Sequence, residues 1–137
     1  MPPLILVGLL LASPQAKPST QAEVRETCSA QNFSQVALGE CLEIHVGESA
    51  ALLAKAERDA VAQIDHWDED APHRARARNA LTTSNAEFVR FRISECGFAS
   101  ALAGGSIGTA HRHWQLACVY ELNFRRAASL RARAKSG

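Results

Sequence analysis

The chain has 137 residues, which is enough for one domain of ordinary size and leaves no room for a second core. Hydrophobic residues make up 47% and charged residues 21%, a composition that excludes a disordered tail or a supercharged arm. The net charge of +1 conceals an uneven distribution. Residues 1–70 carry 4 basic and 11 acidic side chains, a balance of −7, whereas residues 71–137 carry 11 and 3, a balance of +8. Either the two halves pair within the fold or they present patches of opposite sign to partners.

The N-terminus begins with an apolar run over residues 4–12 that contains no charged residue. The run is too short to span a bilayer, which needs roughly 20 apolar residues, but it has the size of the hydrophobic region of a signal peptide. We therefore predict a signal peptide over residues 1–16, with cleavage after Ala22 as the alternative, and no stable membrane insertion after cleavage. Such export would place the protein in the periplasm or outside the cell. A buried N-terminal helix is the competing interpretation.

The cysteines number four, an even count that in a small exported domain predicts two disulfides. They are Cys28, Cys41, Cys96 and Cys118, and three connectivities are possible. Pairing of neighbours, Cys28 with Cys41 and Cys96 with Cys118, closes short loops and forms two local staples. The absence of a C-x-x-C and the wide spacings disfavour a zinc site, so no metal is predicted.

Residues 17–33 are polar and are predicted to form an entry segment held by Cys28. Ser34 is a candidate N-cap for the first helix, which ends at the acidic, proline-containing stretch of residues 68–72. Ser49 is the weak position of the apolar stripe on this helix. The stripe recurs at three- and four-residue steps and comprises Leu38, Leu42, Val46, Ser49, Leu53, Ala56, Ala60, Ile64 and Trp67.

The second helix is predicted from about Pro72 to Cys96 or slightly beyond, and the third from between Ser106 and Thr109 to about Ala134. The predicted inward face of the second helix consists of Ala77, Leu81, Ser84, Phe88 and Phe91. No strand pattern is convincing, so residues 34–134 are predicted to form an all-α domain, a small three-helix bundle stapled by two disulfides. Antiparallel packing would bring the acidic first helix against the basic flanks of the later helices.

The remaining candidates for chemistry are weak. His111 and His113 lie about 200° apart on a helix and cannot hold one ion together there. Arg74, Arg76 and Arg78 form a basic run without interleaved aromatic residues, which disfavours nucleic-acid binding. No phosphate-binding loop, nucleophile elbow or dinucleotide fingerprint occurs, so neither an enzyme nor a cofactor is predicted. The other histidines, predicted to be solvated or partly packed, are His45, His66 and His73.

A more specific pattern lies in the second half of the chain. Two phenylalanines and an arginine precede the third cysteine, a Gly-Gly-Ser follows it, and an arginine and a leucine follow the fourth cysteine. The residues are Phe88, Phe91, Arg92, Cys96, Gly104, Gly105, Ser106, Cys118, Arg126 and Leu130. This arrangement over residues 28–130 resembles the LprI-type lysozyme inhibitor family of small exported bacterial domains.

The family pattern reads roughly Q-x-x-W-x-x-[YF]-R-x-x-x-C, then G-G-S, then C-x-x-x-[LT]-T-x-x-R-x-x-x-L. This chain has Asn85 where the glutamine is usual, Phe88 for the tryptophan and Asn123 for the threonine. The D-x-x-L-N that commonly follows the second cysteine is replaced by residues 50–54 of this chain. The resemblance implies that the conserved frame, with Phe88, Phe91, Arg92, Arg126 and Leu130, is structural.

The resemblance also implies a protein that binds and inhibits a lysozyme or another muramidase. Such clefts hold two carboxylates, to which an inserted loop can donate hydrogen bonds. The turn at residues 104–108, called the 104–108 turn below, suits this role because Gly104 and Gly105 permit close backbone approach and Ser106 offers a hydroxyl. An acidic first helix would attract a basic muramidase.

Two alternatives stay open at this point. In the first alternative, the 104–108 turn only connects two helices, and Arg92 and Arg126 form hydrogen bonds within the protein. For the whole protein, the alternative is a non-catalytic envelope interaction or stress-related protein whose partner the sequence does not name. The sequence also leaves the oligomeric state open.

Overall fold

Four helices make up the part of the chain that the structure describes. The structure, a computed structural model, describes residues 16–136, and the side chains of residues 16–134. The helices are α1 (Gln21–Gln31), α2 (Gln35–His66), α3 (Ala71–Ala101) and α4 (Gly108–Ser136). No strand occurs among residues 16–136, which confirms the all-α class. The predicted signal peptide falls, apart from Ala16, outside the described residues. Within them, no helix has both the length and the apolar character needed to cross a membrane.

The predicted count of three helices is wrong because α1 forms within the segment that was expected to be an irregular entry. A capping box starts this helix: Glu23 N donates to Thr20 Oγ1 at 3.1 Å, and Thr20 N donates back to the Glu23 carboxylate at 3.2 Å. Hydrogen bonds from Ser19 and Thr20 lower the pKa of the Glu23 carboxyl. An isolated helix of 11 residues is marginal in water, but Val24 and Cys28, one turn apart, are fully buried and fix it to the bundle.

Helices α2 and α4 run parallel along their whole length. Gly39 lies against His113 near their N-termini, Ser49 accepts a hydrogen bond from Asn123 in the middle, and Gln63 Nε2 donates to the Ala134 carbonyl at 2.6 Å near their C-termini. Helix α3 returns antiparallel to α4. Consequently the α1–α2 turn and the α3–α4 turn lie at the same end of the bundle.

Helix α4 is the centre of the fold, since it packs against all three other helices. Its buried residues contribute to every part of the core, which has three clusters. With α1 and α2 it packs Val24, Leu42, Ala117 and Tyr120; with α2 it packs Leu53, Ala56, Ala127 and Leu130; with α3 it packs Cys96, Ala99, Cys118 and Leu122. Leu130 is therefore buried, in keeping with its implied structural role.

The predicted inward face of the second helix is only partly correct. Phe88 and Leu81 pack against the core, but Phe91 is 53% exposed and Ser84 is exposed. The physical reason is that α3 is covered mainly by one helix, α4, and touches α2 only sparsely. One neighbouring helix buries a narrow stripe, so apolar side chains beside that stripe remain in solvent.

Two disulfides connect neighbouring helices, as the cysteine count predicted. Cys28 pairs with Cys41 across α1 and α2, and Cys96 pairs with Cys118 across α3 and α4, with Cα–Cα distances of 5.7 and 5.4 Å. No free cysteine remains among the four. Each staple contributes on the order of 2–4 kcal/mol by the chain-entropy argument.

Among the described side chains, the opposite charges of the two halves pair between helices at two places. Arg78 of α3 lies 2.7 Å from Asp65 of α2, and Arg112 of α4 pairs with Glu43 of α2. All four side chains are more than two-fifths exposed, so each pair contributes roughly 0.2–1 kcal/mol. Most acidic side chains of α2 therefore remain available at the surface.

Candidate functional site

The 104–108 turn is an exposed loop whose geometry depends on glycine. Helix α3 ends at Ala101. Backbone hydrogen bonds, mostly between residues three apart in the chain, then form the turns that connect α3 to α4. Gly104 has φ +58°, in the left-handed region, and neither Gly104 nor Gly105 has an atom within 4 Å of the position a Cβ would take. The turn thus offers uncovered backbone to a partner.

The 104–108 turn contains one side-chain hydroxyl, that of Ser106. The His111 ring contacts the Gly104 carbonyl through Nε2 at 2.9 Å and so anchors the turn to α4. The Ser106 hydroxyl is exposed and has no hydrogen-bond partner among the described residues. A serine hydroxyl can donate one hydrogen bond and accept others, so Ser106 is a donor available to an incoming carboxylate.

Exposed apolar side chains accompany the 104–108 turn at the same end of the bundle. Phe33, in the α1–α2 turn, is fully exposed, and Val36 and Ile107 are 69% and 68% exposed. Single exposed apolar residues are ordinary, but an aromatic side chain with no cover beside an uncovered turn is typical of a contact surface. Phe33 carries no signal of this position in the sequence, because the two turns are distant in the chain.

Arg92 is partly buried and takes part in a hydrogen-bonded chain of polar side chains across three helices. Its Nη1 donates to Asn123 Oδ1 at 2.5 Å, and Asn123 Nδ2 donates to Ser49 Oγ at 3.2 Å. Asn123 and Ser49 are 1% and 2% exposed. Ser49, the weak position of the predicted apolar stripe, is thus the α2 end of a buried hydrogen-bonded network. The sequence signal for this buried hydrogen bond was a polar residue in an otherwise apolar helix face.

Arg126 forms a second link between α3 and α4. Its Nη2 donates to Ser84 Oγ at 2.9 Å and to Asn85 Oδ1 at 2.8 Å, while Nε is buried without a hydrogen bond within the described chain. The guanidinium groups of Arg92 and Arg126 lie 5.5 and 5.8 Å from the Phe88 ring centre. Both arginines therefore form hydrogen bonds across the α3–α4 pair.

Two clusters in the described chain have the composition of metal ligands, and local structure explains both. Cys28 and Cys41 lie near His45, but their sulfur atoms are joined in a disulfide and supply no thiolate. The exposed trio of Glu69, Asp70 and His73 marks the start of α3, where Asp70 is the N-cap. Hydrogen bonds from the His73 backbone and side chain lower the pKa of the Asp70 carboxyl.

These features define a small, disulfide-linked, all-α domain in which Arg92 and Arg126 form hydrogen bonds between α3 and α4. The family model "Lysozyme inhibitor LprI" matches residues 28–130, which is most of the chain. The chain therefore belongs to the LprI family. No curated protein and no solved structure matches it significantly.

Proposed function

We propose that the protein is an exported inhibitor that binds a lysozyme or another muramidase through the 104–108 turn. Membership of the LprI family supports a muramidase as the partner. The two disulfides fit an oxidising compartment such as the periplasm or the exterior of the cell. The role of the protein is binding, without catalysis of its own.

The observation that carries the proposal is the free Ser106 hydroxyl on an uncovered, glycine-rich turn. The catalytic cleft of a muramidase holds two carboxylates, which accept hydrogen bonds. Ser106 and the adjacent backbone present donors in a narrow loop without bulky side chains at Gly104 and Gly105. A loop of this kind enters the cleft, donates to a carboxylate and excludes the substrate.

Charge supports the approach of a basic muramidase. The N-terminal half carries a balance of −7, and within the described part of the chain two of its carboxylates, those of Glu43 and Asp65, pair with arginines of α3 or α4. Long-range attraction of this kind raises the association rate and depends on ionic strength. We therefore expect association to slow with added salt.

The test is a lysis assay with purified protein from residue 17 onward, titrated against a basic lysozyme. The wild-type protein should slow lysis at stoichiometric concentration. Ser106→Trp should abolish inhibition because the indole blocks the turn, whereas Thr83→Trp, at an exposed position in the first half of α3, should inhibit normally. Thermal melting of both variants checks that each is folded.

The outcomes separate the parts of the proposal. Full inhibition by Ser106→Trp would show that the 104–108 turn does not take part in inhibition, although the protein is an inhibitor. If the wild-type protein slows none of a panel of muramidases, the inhibitor proposal is wrong. The protein is then an envelope interaction protein with another partner, and a pull-down from envelope fractions at two salt concentrations would search for it.

A further inference from the structure

We propose that the Cys28–Cys41 disulfide is a site of thiol–disulfide exchange, at which a dithiol reductant cleaves the bond and releases α1 from the bundle. The second disulfide, Cys96–Cys118, stays intact under the same conditions. Such exchange is separate from inhibition and does not depend on the identity of a muramidase. Its basis is the different surroundings of two bonds of the same chemical kind.

The two disulfides differ first in their access to solvent. Cys96 and Cys118 are 1% and 0% exposed, so no thiol reaches their sulfur atoms in the folded protein. Cys28 is also fully buried, but Cys41 is partly exposed and borders an open cleft of about 360 Å³. Exchange begins when a thiolate attacks one sulfur of the disulfide. Cys41 Sγ is therefore the sulfur that a reductant attacks.

A histidine lies beside the Cys28–Cys41 bond. One ring nitrogen of His45 lies within 4.8 Å of both sulfur atoms. The ring contacts Tyr120 edge to face, with 5.7 Å between ring centres, and its Nδ1 lies 3.6 Å from the Glu48 carboxylate. Within the described residues, no histidine or carboxylate lies this close to both sulfurs of the other disulfide. A neighbouring protonated histidine stabilises a thiolate, so His45 assists the departure of sulfur from the bond.

The exchange balances with a dithiol as the reductant. Its first thiolate forms a bond to Cys41 Sγ, and the electron pair of the S–S bond passes to Cys28 Sγ, which takes up a proton from the His45 imidazolium. The second thiol of the reductant then loses its proton, attacks the reductant sulfur of the mixed disulfide and releases Cys41 as a thiolate, which is protonated by water. The reductant is oxidised to its own disulfide, and the protein gains two thiols. Dithiothreitol and thioredoxin-like proteins are reductants of this class.

The loss of this bond frees a helix that depends on it. Helix α1 has 11 residues, and an isolated helix of that length is marginal in water. It buries two residues, Val24 and Cys28, of which the second is half of the disulfide. Helices α2, α3 and α4 have 29 to 32 residues and share the rest of the core. We therefore expect α1 to open locally after reduction while the other three helices stay packed.

Selective reduction tests the site. Oxidised protein is incubated with dithiothreitol at neutral pH, samples are quenched with iodoacetamide, and peptide mass spectrometry measures the labelling of each cysteine. Labelling of Cys28 and Cys41 should be at least tenfold faster than labelling of Cys96 and Cys118. Equal rates would show that reduction follows global unfolding. Either equal rates or faster labelling of Cys96 and Cys118 would overturn the inference.

Substitution of His45 separates the effect of its ring from that of exposure alone. His45→Gln should slow the labelling of Cys28 and Cys41 several-fold, since an amide does not transfer a proton to the departing sulfur. His66→Gln, at an exposed position on the same helix, is the matched control and should react like wild type. A purely structural role of His45 predicts the opposite, because a loosened site is labelled faster. Wild-type or faster rates in His45→Gln would therefore refute the exchange mechanism.

The release of α1 is measured by hydrogen exchange. Cys28→Ala combined with Cys41→Ala removes the bond without leaving reactive thiols. Amides of residues 21–31 should exchange at least tenfold faster in this double variant than in wild type, whereas amides of α4 should keep their protection. Unchanged protection of residues 21–31 would show that the bond does not hold α1 in place and would overturn this part of the proposal.

Discussion

Truncation of Asn123 should destabilise the protein more than truncation of any other uncharged polar side chain in the described core. Asn123→Ala removes the 2.5 Å bond from the Arg92 guanidinium and the 3.2 Å bond to Ser49. A hydrogen bond to a charged group contributes about 1.5–3 kcal/mol and a neutral one about 0.5–1.5 kcal/mol. The expected loss is about 3 kcal/mol, a large share of the ~5–15 kcal/mol of a typical domain.

Urea unfolding followed by circular dichroism measures this loss, and two variants calibrate it. Ser49→Ala should cost only about 1 kcal/mol, since it removes the neutral bond alone and leaves Arg92 paired. Asn79→Ala, at an exposed site on α3, should stay within about 0.5 kcal/mol of wild type. A loss below about 1 kcal/mol for Asn123→Ala would show that water satisfies Arg92 equally well, and the polar chain would then not explain the stability of the α3–α4 pair.

Three further predictions concern stability. Burial, reinforced by the negative charges of Glu48 and Glu23, raises the pKa of the Tyr120 phenol, so its contribution is complete below about pH 10 and is lost as pH rises through the folded-state pKa. In alkaline thermal melts Tyr120→Phe should flatten this decline, and an unchanged slope would contradict it. Gly104→Ala should cost about 1–2 kcal/mol because φ is +58°, and Gly105→Ala should cost less; equal costs in urea titrations would argue against a strained turn. Raising salt from about 0.1 M to about 1 M should lower thermal stability only slightly, because salt screens the exposed pairs between helices but each contributes only roughly 0.2–1 kcal/mol, and a large destabilisation would show that charge pairing contributes more than these pairs explain.

Local signals in the sequence were sufficient for most helix ends. Ser34 caps α2 as predicted, since its Oγ accepts from Ala37 N, and the glycines at 104 and 105 separate α3 from α4. These features depend on a few consecutive residues, and their chemistry is the same in any fold. The capping box of Thr20 and Glu23 is a signal of the same kind, and attention to it would have identified α1.

Features that depend on which helices pack together were not predictable in the same way. The periodicity of α3 places Phe88 and Phe91 near one face, but it does not reveal that α4 alone covers that face and leaves Phe91 half in solvent. The buried roles of Asn123 and His113 depend equally on the register of α4 against α2. A polar residue inside an apolar stripe was the only sequence indication of these buried contacts. Its hydrogen-bond partners can be assigned only once the neighbouring helices are known.

The positions of the two disulfides bear on binding as well as on stability. Cys28 lies three residues before the end of α1 and Cys96 five before the end of α3, so each staple joins helices close to the turn that connects them. Both turns lie at the end that holds the proposed contact surface, whereas caps and exposed polar contacts such as the Arg78–Asp65 pair hold the opposite turn between α2 and α3. A surface held in one arrangement before binding loses less conformational entropy when a partner docks. The staples therefore restrain the two turns of the proposed contact surface before any partner binds.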